Sequence, residues 1–369
     1  MEELLHQPKL VSSERLAYPF GWVQMISNQH GISSRSQIGS DEGVVVAAYV
    51  YDAKEQYKVV YFALTSAGEL THAWHETEGL LPELFNSPER DIWTSLETLS
   101  ERGITLPLHD RKGQPAQKGA RSFAGHYIGN QGDFALFHDT DFFDGNKPDK
   151  LLKVEFRNGQ YYGRKAIKLP LPSNNRIYPD SLGNGLQLMA WEGDELLHRQ
   201  VNLSGEIIAN RKLALGEPCH FQIVHADFHG QSTLIAIEGN HLKLVTIEAN
   251  GVVESERILY THSSELYNLW EPERLNETTF AVRLNFEEGN GWAVIHQGEL
   301  QACYLHIESS RYIDIVTNAV IELPAQTMIL AELTRCGAEG YCVTVYPAES
   351  NKQARGQLFI IYMQLESLV

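Results

Sequence analysis

Short stretches in which valine, isoleucine, leucine and aromatic residues either alternate with polar ones or fill about four to eight positions run along almost the whole chain. EGVVVAAYVYD, QYKVVYFALT, GDFALFHD, LLKVEFR, GLQLMAWEG, STLIAIEGN, HLKLVTIEA, TFAVRLNFE, GWAVIHQ, QTMILAEL, GYCVTVY and QLFIIYM are the clearest, and Gly, Asn or Asp bounds most of them. A period of two with β-branched and aromatic residues predicts strands. The stretch TEGLLPELFNSPERDIWTSLETL departs from the pattern, and a helical turn is expected in it before the strand ITLPLHD. Between the strands a glycine turn keeps time. FRNGQY at Gly159, NLSGEI at Gly205, EANGVV at Gly251 and HQGELQ at Gly298 are separated by 46, 46 and 47 residues, and the same step backwards reaches Gly113 and Gly68.

Strand-rich units repeating every ~40 to 50 residues are the mark of radial sheet architecture. On these turns and strands the chain resembles a β-propeller over nearly its whole length. The resemblance implies an all-β fold of seven four-stranded antiparallel blades, at about 39–76, 77–122, 123–168, 169–215, 216–260, 261–308 and 309–369 in one domain. Residues 1–38 would supply closing strands that pair with the C-terminal ones. Within them GWVQMISNQHGISSRSQI reads as a further hairpin about Gly31, and eight blades result if it forms its own blade. No named repeat family is matched: Gly125-His126 has no Trp-Asp partner of the WD kind, and kelch-type double glycines are absent. A propeller hosts hydrolases, lyases, redox enzymes and scaffolds alike, so the fold alone selects no activity.

Charge narrows the partners. Lys plus Arg number 30 and Asp plus Glu 47, a net charge of −17 spread along the chain. Such a surface repels phosphate backbones and anionic lipid and favours a basic protein partner. Four cysteines are too few for a disulfide framework and suit a reducing cytoplasm, where a monomer is expected. Cys336 and Cys342 flank GAEGY and would face each other across that hairpin. MEELLHQPKLVSSERL lacks the basic start and apolar core of a signal peptide, and no run reaches the ~20 apolar residues of a membrane helix.

Two clusters suggest chemistry. In HFQIVHADFH, alternation on a strand would project His225, Asp227 and His229 from one face, near the channel, where two imidazoles and a carboxylate could hold a divalent metal. In HDTDFFDGNKPD the chain resembles the calcium loops of integrin-type blades, which implies Asp141 and Asp149 as ligands, or Asp139 and Asp141 in another frame. Phe143 stands where an oxygen ligand belongs, and Gly145 where another acid would be. The bland alternative is hydrogen bonding around a channel in the first case and an Asp-rich insertion in the second, and no cofactor is otherwise expected. Strand-end acids Glu192, Asp194, Glu271 and Glu287 could pair across blades for glycoside hydrolysis. Trp22, Trp74, Trp93, Trp191, Trp270 and Trp292 lie on strands or strand ends; Trp270, before Glu271 and a proline, is the one expected to be exposed.

Two readings follow. The favoured one is a cytoplasmic binding protein that presents an acidic loop face to a macromolecular partner, with an inhibitor or immunity-type protein against a basic effector as one specialisation. The alternative is a hydrolase or lyase acting on a carbohydrate or lactone at the axial channel, with or without metal. No G-x-S-x-G, Walker, G-x-G-x-x-G or H-E-x-x-H motif decides between them.

Overall fold

The computed structural model describes residues 9–14, 20–27, 32–51, 57–76, 82–86, 92–96, 98–100, 103–106, 108–110, 120–121, 126–139, 150–157, 160–169, 176–179, 185–192, 195–215, 220–225, 227, 230–270, 272–287, 289–308, 311–323, 328–338, 340–347 and 356–365. Strands and turns account for them, and no helix occurs among the described residues. The strands form eight antiparallel sheets. Sheet A is the meander Ile32–Ser40, Gly43–Tyr51, Tyr57–Thr65, Leu70–Glu76. Sheets D (His126–Gln131 to Gln160–Lys168), E (Arg176–Pro179 to Ile207–Leu213) and F (His220–His225 to Val253–Thr261) repeat it. Sheet G begins with Leu266–Leu269 and Glu273–Arg274, both paired to Thr279–Phe286, and ends in the hairpin Arg311–Asp314 and Val320–Glu322.

Sheet H joins the two halves of the sequence. Met328–Arg335, Gly340–Pro347 and Gln357–Gln364 are continued by Phe20–Ser27 and then Lys9–Glu14. The expected terminal pairing is therefore present, with Val23 opposite Ile361 and Met25 opposite Phe359. Phe20–Ser27 and Ile32–Ser40 lie in different sheets, so the Gly31 segment builds no blade of its own. The segment expected to hold a helical turn contains strand Pro82–Asn86, whose Leu84 is buried against sheet A. Packing of one apolar residue between sheets overrides the local pattern there. The described strands between Pro82 and Arg121 form two three-stranded sheets: B, with Pro82–Asn86, Ile92–Leu96 and Leu108–Asp110, and C, with Thr98–Ser100, Gly103–Leu106 and Ala120–Arg121. Plain four-stranded blades are thus described for A, D, E, F and H, with H extended by a fifth strand.

The arrangement is that of a propeller. First strands touch from H to A, A to B, B to D and D to E, while F meets G and G meets H. Among the described residues the core lies in slabs between neighbouring sheets, such as Val44, Phe62, Ile360 and Leu358 between A and H, or Phe221, Leu234, Leu213 and Met189 between E and F. A middle strand therefore buries both faces, which is why Val44 to Ala48 is an unbroken apolar run.

The glycine clock has two physical causes. Gly68, Gly205 and Gly251 have φ of 81°, 88° and 88°. Each accepts the left-handed position after a tight turn, with Gly68 N–H bonded to Thr65 O, Gly205 to Asn202 O and Gly251 to Glu248 O, and a bulge follows in the ladder. The same glycines also touch the sheet before them. A Cβ on Gly68 would lie 2.8 Å from the Trp22 ring of sheet H, on Gly205 2.7 Å from Ile167 of sheet D, and on Gly251 2.1 Å from Lys212 O of sheet E. Gly113 and Gly159 lie outside the described residues. Buried glutamines add a second tie: Gln37 donates to Cys342 O at 3.1 Å, Gln131 to Gly185 O at 2.9 Å and Gln222 to Leu269 O at 2.9 Å, each across a sheet boundary.

Candidate functional site

Where the inner strands converge they leave an axial cavity of about 310 Å³. Gln37 of sheet A, Tyr127 of sheet D, Glu273 and Arg283 of sheet G, and Glu332 and Thr334 of sheet H line it. Five residues of these six are ionisable or amide-bearing, which is unusual for the centre of a fold. The strands meet here because each presents alternate residues to the axis, and those residues need not fill a slab.

The two carboxyl groups differ in environment. Glu273 Oε1 accepts from Thr334 Oγ1 and from the Arg335 backbone N–H, both at 3.0 Å, while Oε2 makes no hydrogen bond among the described residues. The residue keeps some exposure to the cavity, but its carboxyl is enclosed. Burial pushes the Glu273 acid up from its ordinary value, against the pull of those two hydrogen bonds, and the negative charge of Glu332 adds to the rise. Glu332 Oε2 lies 3.6 Å from Arg283 Nη1 in an ion pair. The Arg283 guanidinium also sits over the Trp270 ring, 4.5 Å from its centroid. Burial first, and then Glu273, raise the Tyr127 phenol so that it stays protonated and can donate. Gln37 Oε1 is buried with no hydrogen-bond partner among the described residues. The cavity therefore offers hydrogen-bond donors and acceptors together, with one enclosed acid beside one ion-paired carboxylate.

The described sequence candidates are not among the residues named as lining this cavity. His225 ends the first strand of sheet F, the innermost by topology, and the ladder is bulged between Ile223 and His225. Asp227 comes after the strand, so no continuous alternation carries both. Its backbone carbonyl accepts from Arg211 Nη2 at 3.1 Å and from the Ser232 hydroxyl at 3.0 Å. His229 and Glu271 lie outside the described residues, as do Asp141 and Asp149; Asp139 ends strand Phe134–Asp139, and its side chain is outside them too. Among the described residues no three His, Cys, Asp or Glu side chains gather as metal ligands. Trp270 is 43% exposed, Trp22 and Trp292 are buried, and Glu192 spends its carboxylate on Arg199 at 2.6 Å. Glu273 and Glu332 escape sequence reasoning because each sits in a strand from a different blade. A signal existed for the second: in ILAELTR an acid interrupts an apolar strand.

His198, fully buried, is a structural counterpart to these functional groups. Its Nδ1 accepts from Arg211 Nε at 3.0 Å and its Nε2 faces Gln187 Oε1, which together require the neutral Nε2–H tautomer. Arg211 continues to Ala249 O at 2.7 Å, Glu248 O at 3.2 Å and Ser232 Oγ at 3.1 Å, riveting sheet E to sheet F.

No family model matches the chain, and no curated protein matches it. Among solved structures it is similar to prolyl oligopeptidase B from Galerina marginata, at 10% identity and a TM-score of 0.48 over 94% of this chain and 56% of that one. Oligopeptidase B from Leishmania major is similar at 9% identity and 0.46, over 87% of this chain and 55% of that one. The Dos1 propeller is similar at 10% identity and 0.42, over 95% and 88%. The chain thus spans about half the length of the two oligopeptidases. These likenesses concern the fold.

Proposed function

We propose that this chain is a single seven-bladed propeller, sheets B and C making one blade, and that it acts at its axial cavity as a hydrolase on a small hydroxyl-rich substrate such as a glycoside or lactone. The observation that carries this reading is the inequality of Glu273 and Glu332 across one enclosed space. An enclosed carboxyl group whose acid is pushed up suits the acid role, and a carboxylate set against a guanidinium suits the base role. In the acid role Glu273, whose burial pushes its acid up, gives a proton from its Oε2 side to the leaving oxygen as the C–O bond breaks. Glu332 takes a proton from the attacking water as the new C–O bond forms, and exchange of both protons with solvent resets the pair. Ligand chemistry supports the class: Gln37 Oε1 accepts, Glu273 donates through Oε2 when protonated, and a hydroxyl does both. The volume is at the lower end of the ~300 to 1,000 Å³ of small-molecule sites, which fits one ring.

The test is a turnover screen of aryl glycosides and simple lactones, followed by Glu273→Gln and Glu332→Gln. Each variant is expected to lose at least ~100-fold in kcat on any substrate found. Absence of turnover together with absence of any sugar- or lactone-induced rise in Tm would discard the proposal.

A second reading keeps the macromolecular partner. Ile207, Ile208, Val252 and Ile258 are exposed on the outer strands of sheets E and F or beside them, within an acidic protein, and would suit a basic partner with an apolar centre. Ile208→Glu together with Ile258→Glu should abolish partner recovery at low salt; recovery unchanged by both would end it.

A further inference from the structure

We propose that the cleft between sheets F and G is a second ligand site, which takes a small organic anion: a carboxylate or phosphate head on an apolar body. The cleft encloses about 300 Å³ and lies apart from the axial cavity, sharing none of its lining residues. His225, Thr233 and Thr246 reach it from three strands of sheet F, and Arg274 from sheet G.

Among the described residues these groups keep hydrogen-bonding capacity in hand. Arg274 is anchored by two backbone carbonyls, Nε to Asn276 O at 3.3 Å and Nη2 to Glu277 O at 3.2 Å, which leaves Nη1 without a partner among the described residues. It makes no ion pair among them, although the chain carries a net charge of −17. The His225 ring and the hydroxyls of Thr233 and Thr246 also make no hydrogen bond among the described residues. Arg274 Nη1, the His225 ring and the two hydroxyls, none bonded among the described residues, suit an oxyanion on this cleft; two backbone carbonyls already orient the guanidinium, so less ordering remains to be done on binding. Neighbouring polar groups are, by contrast, occupied with one another: the Thr279 hydroxyl with His296 Nδ1 at 2.9 Å, and Thr278 N–H with Asn276 Oδ1 at 2.9 Å.

The rest of the wall sets the body of the ligand. Val224, Leu244 and Phe280 are apolar and line the same space. An inorganic ion would leave that surface wet, whereas a ring or short chain attached to the head covers it. Glu277 is the acid in the lining and is exposed.

Calorimetric titration of the full chain with benzoate, phenyl phosphate, benzyl alcohol and inorganic phosphate tests this. Benzoate or phenyl phosphate is expected to bind at least 10-fold more tightly than benzyl alcohol or inorganic phosphate, and which of the two wins identifies the head group. Arg274→Gln and His225→Gln should each weaken that binding at least 10-fold, Arg274→Lys less than Arg274→Gln, and Glu273→Gln not at all. Thr246→Val, which keeps an apolar-compatible strand residue, supplies an independent readout should Arg274→Gln fail to fold. Equal binding of benzyl alcohol and benzoate, no binding of either anion, or anion binding indifferent to Arg274, His225 and Thr246 changes would each overturn the assignment.

Discussion

Replacing Gly251 by Asn separates the two duties assigned to the turn glycines. Asn tolerates the left-handed region, so a glycine needed for its φ of 88° alone would be exchanged at a cost under about 1 kcal/mol. The structure demands more. A Cβ at this position would lie 2.1 Å from Lys212 O, and that atom is backbone in a paired strand and cannot swing aside. Relief requires the turn to withdraw from sheet E, which stretches the 3.0 Å bond from Ala214 N to Gly251 O, worth about 1 kcal/mol net. It also loosens the Arg211 bonds to Glu248 O and Ala249 O, charge-assisted bonds worth about 1.5–3 kcal/mol each when fully formed and less at their exposed position. The expected loss is about 2–4 kcal/mol by urea unfolding. At about 2.1 cal/mol/K per residue over 369 residues, this is roughly 3–5 °C in Tm. Gly239→Asn is the control, since φ is again positive, at 58°, but nothing lies within 4 Å of its Cβ. Equal and small losses for the two variants would refute the idea that these glycines seat one blade on the next.

Trp22→Ala should cost about 3–5 kcal/mol, because the ring is buried, stacks on Tyr362 at 5.4 Å and donates to Ser66 O at 2.9 Å across the H–A boundary; proteolytic nicking that stays at the wild-type rate would contradict its role in closure. His198 is held down to about 3 by burial and then by Arg211, so the unfolded chain takes up a proton below about pH 6.5 that the native state refuses. Stability should fall by about 1.4 kcal/mol per pH unit from there, about 2 kcal/mol by pH 5, and His198→Gln should flatten that limb in urea midpoints measured between pH 7 and 5. Glu273 has the opposite sign: its folded value is raised, so its contribution is present in acid and is lost as pH rises through the folded value, and Glu273→Gln should gain stability relative to wild type towards alkaline pH. Cys303, Cys336 and Cys342 are buried, and burial raises Cys303 to about 12 and Cys342 well above the thiol range, so none of the three should react with a thiol reagent before unfolding.

Strands, their turns and their antiparallel succession were legible in the sequence because each is decided within about ten residues: the apolar run Val44 to Ala48 suits burial on both faces, and Gly205 and Gly251 take the left-handed turn without a Cβ penalty. Less local features were not. That Phe20–Ser27 completes sheet H instead of pairing with Ile32–Ser40 depends on which partner the ring leaves available, and residues 82–121 carry turn signals that say nothing of their division into two sheets. Chemistry was the least legible. His225 could be seen as a polar group on an inner strand, but its neighbours Arg274 and Thr246 come from a separate sheet and a separate strand. Glu273 and Glu332 lie 59 residues apart, and only the fold buries the one and sets the other against Arg283. The sequence by itself determined the local backbone, since short-range sterics and burial periodicity act there; the tertiary structure alone decided which side chains share an enclosed space, since desolvation and charge pairing depend on distance in space and not along the chain.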